Sequence, residues 1–248
     1  MTLAGKVALV TGGAKRVGRA IALELSEAGC DLAVHYHRSV TEAESVADAI
    51  RNLGRRCTLH VADLGDHESA ALLVEDTVRC MGRLDILVNN ASLFRIDEGD
   101  SLDTFDPVRW ERMLGINLIA PAALCHHAAG HLRSHGEGKI INLCDISADR
   151  PWPEHLAYCA SKAGLVNLTK SLARALAPAI QVNGVAPGLA EFATDHSRSV
   201  RDRLVRRVPA GRVGTPSEIA RVVRFLVEDA EYVTGQVLFV DGGRSVVS

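Results

Sequence analysis

The chain has 248 residues, enough for one large domain, and its 28 basic and 30 acidic residues leave a net charge of −2. Apolar residues at 47% and charged residues at 23% are ordinary for a water-soluble globular protein. This balance gives no electrostatic ground for binding nucleic acid or an anionic membrane, and no apolar run reaches the roughly 18–20 residues a bilayer-spanning helix needs.

The N-terminus, Met1-Thr2-Leu3-Ala4-Gly5-Lys6, leads straight into a strand-like segment, without the charged and apolar regions of a secretory signal. Cysteines 30, 57, 80, 125, 144 and 159 form no C-x-x-C pair. They are expected to be reduced thiols, in a cytoplasmic setting.

Short β-rich runs occupy 6–11, 32–35, 57–61, 84–88, 139–143, 180–185 and 237–240. Most are continuous apolar strings, as parallel strands covered on both faces require. Amphipathic stretches at 17–28, 41–53 and 67–81 each stop at a glycine, Gly29, Gly54 and Gly82. The alternation predicts an α/β fold, a doubly wound (Rossmann) parallel seven-stranded sheet flanked by helices, in one domain over 1–248. The stretch 187–209 has no clear element, is arginine-rich in its second half, and reads as a substrate loop or lid. Its arginines, 198 to 212, read as a solvated helix face, with contact to an anionic substrate tail as the alternative.

After the first run comes Thr11-Gly12-Gly13-Ala14-Lys15-Arg16-Val17-Gly18, opening a helix. Glycines let a backbone approach a pyrophosphate, and a helix N-terminus offers N–H donors and positive dipole to it. An NAD site wants a carboxylate where the second strand ends. Asp31 stands at that strand's start, and its end reads His35-Tyr36-His37-Arg38-Ser39. Lys15, Arg16, His37, Arg38 and Ser39 could hold a 2′-phosphate by charge-assisted hydrogen bonds, so NADPH/NADP+ is the expected cofactor.

Tyr158 and Lys162 open a helix running to about Ala177 and, four positions apart, share one face. A phenol with pKa near 10 is a poor acid–base catalyst at neutral pH, and a neighbouring ammonium favours its phenolate. His127 and His131 have helical spacing but no acidic or cysteine partners, so no metal is expected.

With Thr11–Gly18, Asp63-Leu64, Asn89-Asn90-Ala91, Asn117, Tyr158–Lys162, Pro187-Gly188 and Asp241-Gly242-Gly243 in this order, the chain resembles a short-chain dehydrogenase/reductase over nearly its whole length. The resemblance implies that Gly12, Val17, Gly18, Leu64, Ala91, Pro187 and Gly188 line the cofactor, with Asp63 at adenine and Asn89 and Ser92 nearby. It implies a proton relay from Asn117 through Lys162 to Tyr158, with Lys162 also on the nicotinamide ribose. It also implies a homotetramer.

Two positions depart from that family. Arg16 stands where the usual turn has glycine, and Asp145 stands at the catalytic serine's place, 13 positions before Tyr158. A carboxylate there repels a phenolate or a carbonyl oxygen and suits a substrate with N–H donors or a ring nitrogen to protonate. Ser147 is the alternative for the missing serine. These departures, with Asn89-Asn90-Ala91-Ser92 and Phe94, resemble the pteridine reductase and dihydromonapterin reductase branch. That branch implies a small-molecule pterin stacked between nicotinamide and Phe94, touched by Arg16 and Ser92, with Asp145 and Tyr158 as proton donors. Leu189 is a further pocket candidate. The alternatives are an NADPH-dependent carbonyl reductase or alcohol dehydrogenase, and a non-enzymatic NADP(H)-binding regulator.

Overall fold

The apolar strings become seven strands: β1 (Val7–Val10), β2 (Asp31–Tyr36), β3 (Cys57–Val61), β4 (Ile86–Asn89), β5 (Gly138–Leu143), β6 (Ile180–Pro187) and β7 (Val237–Val240). In this computed structural model, which describes residues 1–66, 68–94, 100, 102–191 and 197–247, they form one sheet in the order β3-β2-β1-β4-β5-β6-β7. Every pairing is parallel, with Leu9 opposite Ala33 on one side and Leu87 on the other. The helices are α1 (Arg16–Glu27), α2 (Val40–Asn52), α3 (Ser69–Met81), α4 (Pro107–Leu114), α5 (Ala120–Arg133), α6 (Leu156–Leu176), α7 (Arg198–Val205) and α8 (Pro216–Glu228).

Both faces are covered over the middle of the sheet, which is why β1 and the body of β4 are apolar. Ala8, Val10, Leu32, Val34, Ile86 and Val88 pack on Ile21 and Leu25 of α1, Val46 and Ile50 of α2, and Val223 and Leu226 of α8. The alternate residues Leu9, Ala33, Leu87 and Ile140 pack on Leu73 of α3, Leu124 and Leu132 of α5, and Leu176 of α6. Each buried Val, Leu or Ile among them contributes roughly 1.5–3 kcal/mol by leaving water.

The differences from expectation are local. The strand expected at 84–88 runs Ile86–Asn89, and Asp85 beneath it is buried, accepting from Val7 N–H at 2.9 Å and holding Arg83. The stretch read as lacking an element contains α7, capped by Ser197. None of its residues is buried, so it left no apolar periodicity to read. His67, at the start of the helix expected at 67–81, lies outside the described residues, as do 192–196 of the loop expected at 187–209 and Ser248 of the expected domain. Among the described residues no helix is long and apolar enough to cross a membrane.

Candidate active site

The strand order reverses between β1 and β4, and loops leaving the two strands diverge there to open a crevice at their C-terminal ends. A cleft of about 630 Å³ lies at that point. Gly12, Lys15, Arg16, Val17, Gly18, His37, Arg38, Asp63, Leu64 and Ala91 line one end. Ser92, Phe94, Asp145, Tyr158, Lys162, Pro187 and Gly188 line the rest.

At the first end the turn is built for close approach. A Cβ on Gly18 would lie 2.2 Å from the Gly12 carbonyl oxygen, and one on Gly12 3.1 Å from Ala91 Cα. Arg16 has φ +49°, the one described non-glycine residue with a positive φ, which explains why glycine is the usual choice there. Its guanidinium reaches across the cleft to Glu191 at 3.6 Å. Lys15 pairs with Glu42 of α2 at 2.7 Å. Asp31 takes Arg56 and faces away from the cleft. Asp63 accepts from Gly65 N–H and lies 3.6 Å from His37 and 3.9 Å from Arg112. That backbone bond, followed by the nearby positive charges, lowers its pKa. These residues fit a dinucleotide phosphate: the glycines leave room for it and the basic side chains match its charge.

Among the cleft residues to which the sequence assigned no role are Arg112, Glu191 and His35. Arg112 and Glu191 come from segments without a motif. His35 is 2% exposed and braces the turn from below, its Nδ1 accepting from Gly12 N–H at 3.1 Å and its Nε2 meeting the Ala62 carbonyl at 3.2 Å. Gly12 N–H can only donate, so the ring is the neutral Nε2–H tautomer.

At the other end Asp145 caps the short turn Ile146–Ala148, with Oδ1 accepting Ser147 N–H at 2.7 Å. Its Oδ2 accepts the Tyr158 hydroxyl at 3.0 Å. The Tyr158 ring stacks on Trp152 (6.1 Å, 12°) and meets Phe94 at 4.6 Å. Burial and then the Asp145 carboxylate push the phenol well above its ordinary pKa. This corrects the expectation that Lys162 draws it down. The Lys162 ammonium donates to the Leu143 carbonyl at 2.8 Å and stands 5.8 Å from the ring centroid. Burial lowers its own pKa, weakening the hold of its positive charge. The Ser147 hydroxyl is buried without a partner and does not line the cleft, unlike Asp145.

Four expected site residues do not line it. Asn89 points into the sheet interior, donating to Asn142 at 2.8 Å, while its neighbour Asn90 faces the cleft and ties down Thr11 and Gly12. Asn117 lies in a π-helical turn (Gly115–Ile119) and links loop to helix: its side chain accepts from Leu93 N–H at 2.7 Å and donates to Ser161 at 3.1 Å. Ser39 precedes α2 and Leu189 sits behind the lining residue Ala190, its carbonyl bonded to Gly214.

The family described as enoyl-(acyl carrier protein) reductase matches residues 12–245. The chain belongs to the short-chain dehydrogenase/reductase family. It is 35% identical to 3-oxoacyl-(acyl-carrier-protein) reductase FabG of Staphylococcus aureus strain N315, over 96% of this chain and 97% of the relative. It is 33% identical to FolM alternative dihydrofolate reductase 1 from Brucella canis, solved with NADP, with TM-score 0.91 over 100% of this chain and 97% of that one. A blue fluorescent protein from a metagenomic library, solved with NADPH, is also 33% identical, with TM-score 0.90 over 98% and 99% of the two chains. This short-chain reductase is therefore an oxidoreductase by family, with relatives that differ in substrate.

Proposed function

We propose that this short-chain reductase uses NADPH to reduce a C=N bond of a pteridine ring. The observation that carries the reading is the bond between Tyr158 Oη and Asp145 Oδ2, with a carboxylate where the family has its serine. The NADP-bound alternative dihydrofolate reductase among its structural relatives supports the same reading.

NADPH, when bound, supplies the hydride to the ring carbon. Tyr158, held protonated by burial and Asp145, gives its proton to the ring nitrogen. Asp145 Oδ2 also accepts ring N–H donors, and as it takes them the phenol is freed to turn toward its acceptor. Lys162, one turn along α6, places positive charge beside the phenolate left behind. Phe94 offers a flat apolar surface for the bicyclic ring. Arg16 and Ser92 line the cleft, where they would contact the pterin or the phosphates, and the described residues 187–191 and 197–209 belong to the substrate loop of this reading. The reading includes a cytoplasmic homotetramer, supported by the six free cysteines and by the exposed Phe225, Tyr232 and Phe239 of α8, β7 and the loop between them.

A second reading, reduction of a 3-oxoacyl or other ketone, is favoured by the FabG relative. NADPH oxidation with dihydrobiopterin, dihydromonapterin, dihydrofolate and a diketone side by side separates the two. Asp145→Ser is expected to lower pteridine turnover by about 100-fold or more while sparing or improving the diketone. Unchanged pteridine turnover would remove Asp145 from the mechanism.

Arg38 has no carboxylate partner within bonding distance among the described residues and lines the cleft end that receives the 2′-phosphate. Arg38→Asp is expected to cut kcat/KM for NADPH by about 10- to 100-fold and to spare NADH, the value of one or two charge-assisted bonds. An unaltered NADPH preference in steady-state assays would contradict the assignment.

A further inference from the structure

The last residues of the chain run directly behind the cleft. Gly188, which lines it, packs so tightly on Asp241 that a Cβ would fall 2.7 Å from the Asp241 Cβ. Asp241 accepts from the N–H groups of Gly243 at 2.9 Å and Ser245 at 2.6 Å, which fixes the turn that carries Arg244. The Ala210 N–H donates to the Gly242 carbonyl at 3.0 Å, bringing the segment after α7, with Arg207, against that turn. From the other side Arg150 donates to the Ser245 carbonyl at 2.8 Å. Arg150 follows the short turn that Asp145 caps.

Three separate segments thus bring three arginines together around the turn at 241–245, which packs on the cleft residue Gly188. Among the described residues none of the three guanidinium groups pairs with a carboxylate. Arg244 is half-buried, and burial, then the charge of Arg207, lowers its pKa; Asp145 and Asp241 pull the other way. A solvated rim accounts for the exposed Arg207. It does not account for a half-buried arginine on a turn bonded to the segment that carries the second, where an anion shared by the two would offset their like charge.

We propose that Arg207 and Arg244, with Arg150 beside them, form a subsite for a carboxylate on the tail of the substrate. The inference rests on the pteridine reading for the ring end and adds the class of tail: anionic, matched to planar guanidinium forks. The predicted substrate is a pteridine whose side chain carries carboxylates, in preference to one with a neutral hydroxylated side chain.

The test compares dihydrofolate, with a carboxylate tail, and dihydrobiopterin, with a neutral one, in wild type, Arg207→Gln, Arg244→Gln and Arg244→Lys. The ratio of kcat/KM for dihydrofolate to that for dihydrobiopterin is expected to fall about tenfold or more in each Gln variant, carried by KM, and by less in Arg244→Lys. Binding of 4-aminobenzoylglutamate, the tail without the ring, is measured in parallel by ligand-detected NMR and is expected in wild type but not in Arg207→Gln. Arg207 is exposed, so this variant tests the subsite even if Arg244→Gln fails to fold. An unchanged ratio, or tail binding that is absent in wild type or equal in wild type and Arg207→Gln, would overturn the subsite. Failure of both pteridines as substrates would instead sink the pteridine reading, and arginine-dependent binding of the tail fragment would still uphold the subsite.

Discussion

Tyr158→Phe is expected to lower kcat for reduction by about 10²- to 10⁴-fold, the range for loss of a positioned proton donor. Phenylalanine keeps the ring between Trp152 and Phe94, so packing and thermal stability should change little. What is lost is one hydroxyl, and with it the donor to Asp145 Oδ2. The dissociation constant for NADPH, read by fluorescence, should stay within about threefold, because the residues proposed to hold the cofactor phosphates lie at the other end of the cleft. A variant retaining a tenth of wild-type kcat would assign proton delivery elsewhere. The pH profile supplies a second check. Burial and Asp145 raise the phenol well above 10, so its protonated, donating form persists through the neutral and mildly alkaline range. Activity attributable to this group is present below that raised value and lost only as pH rises through it. An alkaline limb near pH 8 in wild-type kcat would mean that another group limits the proton transfer.

The middle of the sheet was legible because parallel strands covered on both faces must be apolar, as the strings at 7–10 and 86–88 are; the partly exposed edge strands at 57–61 and 237–240 were placed by the alternation of strand and helix. The glycine stops at Gly29, Gly54 and Gly82 likewise marked helix ends to within a residue or two. The helix α7 was illegible for the converse reason, having no buried face. In the site, Asp145 and Tyr158 were legible as a pair because their identities are chemically odd together. The ionisation of Tyr158 was not, because it depends on which atom Lys162 touches, and the Leu143 carbonyl claims that ammonium. Asn89 and Asn90 were indistinguishable as letters; the first ends β4 and bonds inside the sheet, and the second, just past the strand, bonds the Thr11 and Gly12 carbonyls at the cleft. His35 was hidden among the basic residues after it. Its signal was parity: it lies two positions from Ala33, on the same buried face of β2.

His35 carries the second large effect. Its neutral ring joins the phosphate-binding turn to the end of β3 through Gly12 N–H and the Ala62 carbonyl, and its own carbonyl accepts from Gly13 N–H at 2.9 Å. Burial lowers its pKa from 6.5 to about 4. Below 6.5 the unfolded chain takes up a proton that the folded chain refuses until about 4, so the stability this group contributes is complete above 6.5 and falls as pH drops toward 4. That depression corresponds to roughly 3 kcal/mol across the window. Protonation at Nδ1 would set a donor against the Gly12 N–H and open the turn proposed to hold a cofactor phosphate. His35→Leu removes both ring bonds and leaves two part-buried backbone groups unpaired, and is expected to cost about 2–5 kcal/mol in denaturant unfolding at about pH 7.5. The gap between wild type and variant should then narrow by roughly 2–3 kcal/mol at about pH 4.5, since only the wild type has this proton to refuse. His60, whose pKa burial also lowers, is common to both proteins and cancels in the comparison. A gap that stays constant with pH would show that His35 is not held neutral, and that the turn owes its shape to Asn90 and the glycines alone.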